Sequence, residues 1–191
     1  MSRFHATATP ARRYTATAAA LGFGSGALTT IAWFAPGELL GGAGSSIGPL
    51  IQHLAPGLFF GIILGVWVAR IRPTDARRVA GFVILVELAW LAAYYFARES
   101  ANYWDGIWHA DMEIGMAAGF IGGLGVAVAA ALAFRLPVGP KPAIAMAAAG
   151  AVAGALLPVE LGPALLTPLF YVWQAAVAAT FGWVVGLTEN A

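Results

Sequence analysis

Residues 79–97 read VAGFVILVELAWLAAYYFA, an unbroken apolar run with a single carboxylate, Glu87, set near its middle. A transmembrane α-helix needs about 20 mainly apolar residues to cross a hydrocarbon core about 30 Å thick, and this run has that length. Arginines precede it at Arg72, Arg77 and Arg78, and Arg98 follows it directly. A membrane β-barrel would instead show shorter segments of about ten residues, with apolar and polar side chains alternating.

Outward from this stretch, similar runs occur at 15–34, 47–69, 112–134, 142–157 and 166–187. Helix breakers separate them: Pro36-Gly37, Arg72-Pro73, the segment from Pro137 to Pro142, and Pro158 with Pro163. The expected fold is therefore all-α, a polytopic membrane helical bundle with six transmembrane helices. Composition points the same way, with 60% hydrophobic residues, 10% charged and a mean hydropathy of +0.79 over 191 residues. A soluble domain carries about a quarter charged residues. Residues 1–13 read as a flexible cytoplasmic tail and 14–188 as one transmembrane domain. A 3+3 inverted repeat, with halves at about 14–97 and 110–188, is suggested by Ala20-Leu21-Gly22-Phe23 against Ala117-Ala118-Gly119-Phe120.

Charge gives the orientation. Alternating six spans collects Arg3, Arg12, Arg13, Arg70, Arg72, Arg77, Arg78, Arg135 and Lys141 on one side and leaves only Arg98 on the other. Glu38, Glu99, Asp105, Asp111, Glu113 and Glu160 fall on the side of Arg98. The positive-inside rule then places both the N- and C-termini in the cytoplasm, which fits a bacterial cytoplasmic (inner) membrane. Arg12-Arg13 before an apolar run has the outline of an export signal, but the run continues to Trp33-Phe34 and five more follow, so the first helix is expected to be retained.

Several function classes drop out. Without cysteine there are no disulfides, thiolate metal sites or iron–sulfur clusters. No phosphate-binding or dinucleotide-binding glycine motif occurs, and no basic stretch suits nucleic acid. The single lysine, Lys141, lies between spans, away from any mid-membrane Schiff base. No motif is diagnostic of a named family.

Small residues recur at four-residue spacing: Gly22 and Gly26, Gly57, Gly61 and Gly65, Gly115, Gly119 and Gly123, Gly150 and Gly154, Gly182 and Gly186. Such stripes let membrane helices approach closely. They pack the bundle, and they also offer faces for a homo-oligomer or a partner membrane subunit; the lipid bilayer is the other expected partner.

Glu87 is the leading candidate for function. A carboxylate in hydrocarbon costs at least a few kcal/mol, so such residues face protein or water and usually serve a role. Trp90, Tyr94 and Arg98 follow it at helical spacing, forming one stripe with it. An acid beside aromatic rings suits a cation or a proton relay. Gln174, at similar depth in the last span, and His53, near the outer end of the second, complete the expected polar wall. The bland alternative is a protonated Glu87 bonded to Gln174 or to a helix carbonyl, holding helices together. Pro56-Gly57 would free backbone carbonyls near the same level. On the outer side Asp105, His109 and Glu113 stack at i, i+4 and i+8 and could hold a divalent metal, and His53 with His109 could ligate a haem. The cofactor is otherwise unknown. Three readings follow: a cation- or proton-linked permease or channel centred on Glu87, an accessory or assembly subunit of a larger membrane complex, and a haem- or metal-dependent membrane redox protein.

Overall fold

In a computed structural model, described for residues 10–34, 47–103, 110–156 and 166–188, every described element is a helix. There are six: α1 (Pro10–Phe34), α2 (Ile47–Ile71), α3 (Ala76–Tyr103), α4 (Ala110–Phe134), α5 (Pro140–Gly154) and α6 (Leu166–Leu187). They coincide with the six apolar runs, and the largest extension is at the end of α3, which continues six residues past Ala97. α1 begins at Pro10, so that Ala11 and Tyr14, at the edge of the expected tail, already pack on Gly186 and Gly182 of α6.

Four helices are long and apolar enough to cross a membrane: α2, α3, α4 and α6. The expectation of six such spans is met in part. α1 is long enough, but Arg12, Arg13 and a run of Thr and Ala dilute its apolar character. α5 has 15 residues, a rise of about 22 Å, which falls short of the about 30 Å hydrocarbon core.

Each helix packs on its neighbours in sequence, and α6 returns to pack on α1, closing a ring. Glycine stripes decide the register. Along α1 and α6, Gly186 meets Ala11, Gly182 meets Tyr14 and Ala18, Gly22 meets Gln174 and Ala178, and Gly26 meets Phe170 and Tyr171. The two helices thus run antiparallel side by side over nearly their full lengths. α4 and α5 do the same through Gly115 on Gly154, Gly119 on Gly150 and Gly123 on Met146. At Gly119 and Gly150 each backbone occupies the space a Cβ of the other would need. The stripes expected as possible oligomer faces are turned to other helices of the same chain.

Because neighbours alternate in direction, Arg12, Arg13, Arg70, Arg72, Arg77, Arg78, Arg135 and Lys141 gather at one end of the bundle, here the basic end. Local chemistry fixes the elements there. Asp75 caps α3, its Oδ1 accepting the Arg78 amide at 2.8 Å. Arg135 closes α4 in the left-handed region (φ 53°), with the Leu136 amide reaching back to the Ala130 carbonyl, as in a Schellman cap. Arg72 donates to the Val185 carbonyl in the last turn of α6 at 3.1 Å, where unpaired carbonyls attract a cation.

The half of the bundle nearest the basic end is filled. Phe82 stacks obliquely on Phe134 at 4.8 Å and on Phe181 at 5.6 Å, and Trp67 and Tyr14 continue the chain of rings. Phe82, Phe181, Leu64 and Val68 are fully buried around them. The opposite half is not filled in this way, and the candidate site lies there.

Candidate functional site

α2 and α3 meet along two stripes of period four. Gly65, Gly61 and Gly57 of α2 face Val79, Val83 and Glu87 of α3 in turn. Glu87 therefore sits where the pattern supplies valine. It is 9% exposed, and its carboxyl lies against the Cα of Gly57 rather than toward lipid. Neither carboxyl oxygen has a hydrogen-bond partner. The Leu58 backbone is near enough to act on the carboxyl electrostatically, without the geometry of a hydrogen bond.

Gln174 is also buried, on α6, and its amide nitrogen approaches the Thr29 hydroxyl at 3.2 Å and the Pro56 carbonyl at 3.5 Å. Its Oε1 is without a partner, as is the Oγ of buried Ser25. The direct Glu87–Gln174 hydrogen bond of the bland reading is not formed. The two residues approach the same Pro56-Gly57 step of α2, Gln174 at the Pro56 carbonyl and Glu87 at Gly57.

One turn further from the basic end, position 53 of α2 carries a histidine in place of the next glycine. Side chains rather than backbones now separate the helices, and Trp90 and Tyr94 fit alongside. The Tyr94 hydroxyl and His53 Nε2 are 2.9 Å apart, with the two rings edge-to-face at 4.8 Å. The Trp90 indole N–H donates to the His53 carbonyl at 2.7 Å. Pro56 has no amide to donate to the Gln52 carbonyl four residues back, and the indole bond lands on the next carbonyl of that turn. Gln52, on the same turn, donates to the Trp33 carbonyl at the end of α1 at 2.7 Å. Pro56 lies inside α2, which continues through it.

The structure thus divides the expected site. His53, Trp90 and Tyr94 form one hydrogen-bonded group, while Glu87 and Gln174 lie deeper. The stripe 87-90-94-98 also divides: Trp90, Tyr94 and Arg98 line a cavity of about 330 Å³, and Glu87 does not. The cause is the end of the glycine stripe at Gly57, which draws Glu87 into the α2–α3 seam and leaves the bulkier positions above it turned to the ring's centre.

That cavity is the element that sequence reasoning missed. Its aromatic wall is Trp33, Trp90, Tyr94, Phe170 and Trp173, drawn from α1, α3 and α6. The lining also includes small residues, among them Ala118 and Gly119 of α4 and Gly154 of α5. Trp33 and Phe170 are 5.6 Å apart between centroids, Phe170 and Trp90 5.9 Å, and Trp90 and Tyr94 6.1 Å. Among the described residues Arg98 is the charged residue of the lining, and it is exposed.

Of the expected metal ligands, Asp105 and His109 lie outside the described residues, as does the second histidine of the expected haem pair. Glu113 is exposed on the first turns of α4. Among the described residues no group of three potential ligands converges. Comparison with known proteins finds no matching family, no curated relative and no similar solved structure. What can be said of function rests on the geometry of this chain.

Proposed function

We propose that the protein is a six-pass membrane permease of the proton-linked kind, with Glu87 as the proton-carrying acid and the aromatic cavity as the solute site. The supporting observation is the seat of Glu87. A carboxyl buried near the middle of a span, with both oxygens unpartnered, is expensive to maintain and is retained where it does work. Valine at this position would continue the stripe of Val79 and Val83.

The placement of neighbouring groups fits a proton route. Tyr94 stands in the cavity wall and is hydrogen-bonded to His53, and His53 is one helical turn from the glycine that Glu87 touches. His53 is the side-chain type best suited to pass protons near neutral pH. A cationic solute is disfavoured, because Arg98 and not Glu87 lines the cavity. The six-pass topology is supported by the side-by-side packing of α1 with α6 over nearly their full lengths, and α5 lies against α4 in the same way over its own 15 residues. The sorting of basic residues to one end supports cytoplasmic termini.

The test is proton flux in proteoliposomes loaded with a pH-sensitive dye, driven by a potassium diffusion potential. Wild-type protein should acidify or alkalinise the lumen faster than protein-free vesicles. Glu87→Gln should return the rate to that background while Glu87→Asp keeps part of it, with helical content unchanged in both. Equal rates for wild type and Glu87→Gln would overturn the proposal.

A further inference from the structure

The cavity's chemistry names a class of solute, an inference that builds on the permease reading and goes past it. We infer that the cavity binds a planar, ring-based molecule carrying one anionic group, the ring system between the aromatic and small-residue walls and the anion at Arg98.

The walls argue for a flat occupant. Trp33, Phe170, Trp90 and Tyr94 make a continuous row of rings with centroid separations of 5.6 to 6.1 Å, and Trp173 joins them in the lining. Ala118, Gly119 and Gly154 add little more than backbone and methyl groups to the lining, without branched side chains. Adjacent rings tilted 35 to 58° to one another, beside residues without bulk, form an apolar slot into which a further ring fits. An alkyl chain is ordinarily held by Leu, Ile and Val, and among the described residues only Leu169 of these contributes to the lining.

Polar handles are already committed elsewhere. The Trp90 N–H is held by the His53 carbonyl and the Tyr94 hydroxyl by His53 Nε2, so both rings offer the cavity their apolar surfaces. The body of the ligand therefore needs no hydrogen-bonding groups of its own. Arg98 lies one turn beyond Tyr94 on α3 and is exposed; the lining is almost wholly apolar, so Arg98 meets it through its methylene stem and keeps its guanidinium outside, within reach of a ligand's anionic end. Its planar fork recognises a carboxylate through two parallel hydrogen bonds, a match that a neutral or cationic group does not make. The volume of about 330 Å³ is at the lower end for small-molecule sites, in keeping with one or two fused rings and not with a whole lipid.

Binding is measured on the full chain in lipid nanodiscs by quenching of intrinsic tryptophan fluorescence, since Trp33, Trp90 and Trp173 line the site. The probes are 2-naphthoate, the neutral 2-naphthalenemethanol, the cationic 2-naphthylmethylammonium and the acyl anion decanoate. Naphthoate should quench saturably and bind more tightly than the other three. Arg98→Gln should weaken naphthoate at least tenfold and leave the neutral analogue unchanged, with Arg98→Lys in between. Ala118→Leu, which fills the slot, should weaken both naphthyl ligands. Tighter binding of decanoate would identify an acyl site and overturn the assignment. Equal affinity for the naphthyl anion and cation, or indifference to Ala118→Leu, would do so as partition into the bilayer. Because this is an equilibrium measurement, Glu87→Gln should still bind naphthoate. Intact binding together with proton flux independent of Glu87 would sink the permease reading alone.

Discussion

The two halves of the bundle use the same side chains to opposite ends. Near the basic end, Phe82, Phe134 and Phe181 meet at 4.8 to 5.6 Å and close the centre of the ring. In the other half, Trp33, Phe170, Trp90 and Tyr94 follow one another at 5.6 to 6.1 Å, and a cavity remains beside them. The difference lies in what faces the rings. The plug is backed by Leu64, Val68, Val126 and Val177, all buried. The row of rings in the far half is backed by Ala118, Gly119 and Gly154, which glycine packing between α4 and α5 has already drawn to one side. Aromatic content does not by itself make a core; the volume opposite the rings decides whether they seal a centre or line a site.

The largest effect should come from breaking the plug. Phe181→Ala removes a fully buried ring at the centre of the filled half, and a Phe→Ala change in a core costs about 3–5 kcal/mol. Thermal or SDS-driven unfolding in detergent should show that loss. Trp173→Ala, a partly buried ring that borders the cavity, should cost clearly less, since there part of the ring has no packing partner to lose. Equal losses would mean that the cavity is as tightly packed as the plug and that the contrast is false.

Next in size is Glu87→Val. Both carboxyl oxygens are buried without partners, a condition worth about 1–3 kcal/mol for each such group. Valine would extend the Val79–Val83 stripe along α2, so the variant should unfold at a higher temperature than wild type while losing proton flux. A destabilised variant would mean that the carboxyl holds the helices together. The companion Gly57→Ala places a methyl group against the carboxyl and the α3 backbone, and should be tolerated better when Glu87 is also replaced by alanine.

The fold was largely legible because its determinants are local. Length and continuity of the apolar runs, with prolines between all of them but α3 and α4, place the six helices; α3 outruns 79–97 because ARESANY has no breaker and continues the helix into Tyr103. What local pattern could not settle is α1, whose polar first half gains its place from Gly182 and Gly186 on a distant helix. The burial of Glu87 was legible, and so in principle was its valine-like register against Gly57. The cavity was not. Trp33, Phe170 and Trp173 lie on helices far apart in the chain and carry no motif, and the space beside them follows from how closely α4 and α5 approach.

A pair of equal substitutions sharpens the contrast further. Ala130→Leu adds bulk in the filled half, where Ala130 is fully buried, and should destabilise by about 1–3 kcal/mol through overpacking. Ala118→Leu adds the same bulk beside the cavity and should be neutral or gain about 0.5–2 kcal/mol, as cavity-filling changes commonly do. Opposite signs from one chemical change would confirm that free volume separates the halves.

The smallest effect concerns the hydrogen bonds that turn the cavity's rings their apolar side inward. Trp90→Phe keeps most of the ring and removes the donor to the His53 carbonyl. The expected cost is about 0.5–1.5 kcal/mol, the net contribution of one hydrogen bond. Tyr94→Phe removes the hydroxyl that meets His53 Nε2 and should cost about the same in stability, but it should also slow proton flux, because it cuts the proposed route between the cavity and His53. Trp90→Phe leaves that route in place and should not. A bond that only orients a ring and a bond that also passes a proton are thus told apart by two variants of similar stability. If both leave flux unchanged, His53 serves only to anchor the aromatic wall, and the proton reaches Glu87 by another way.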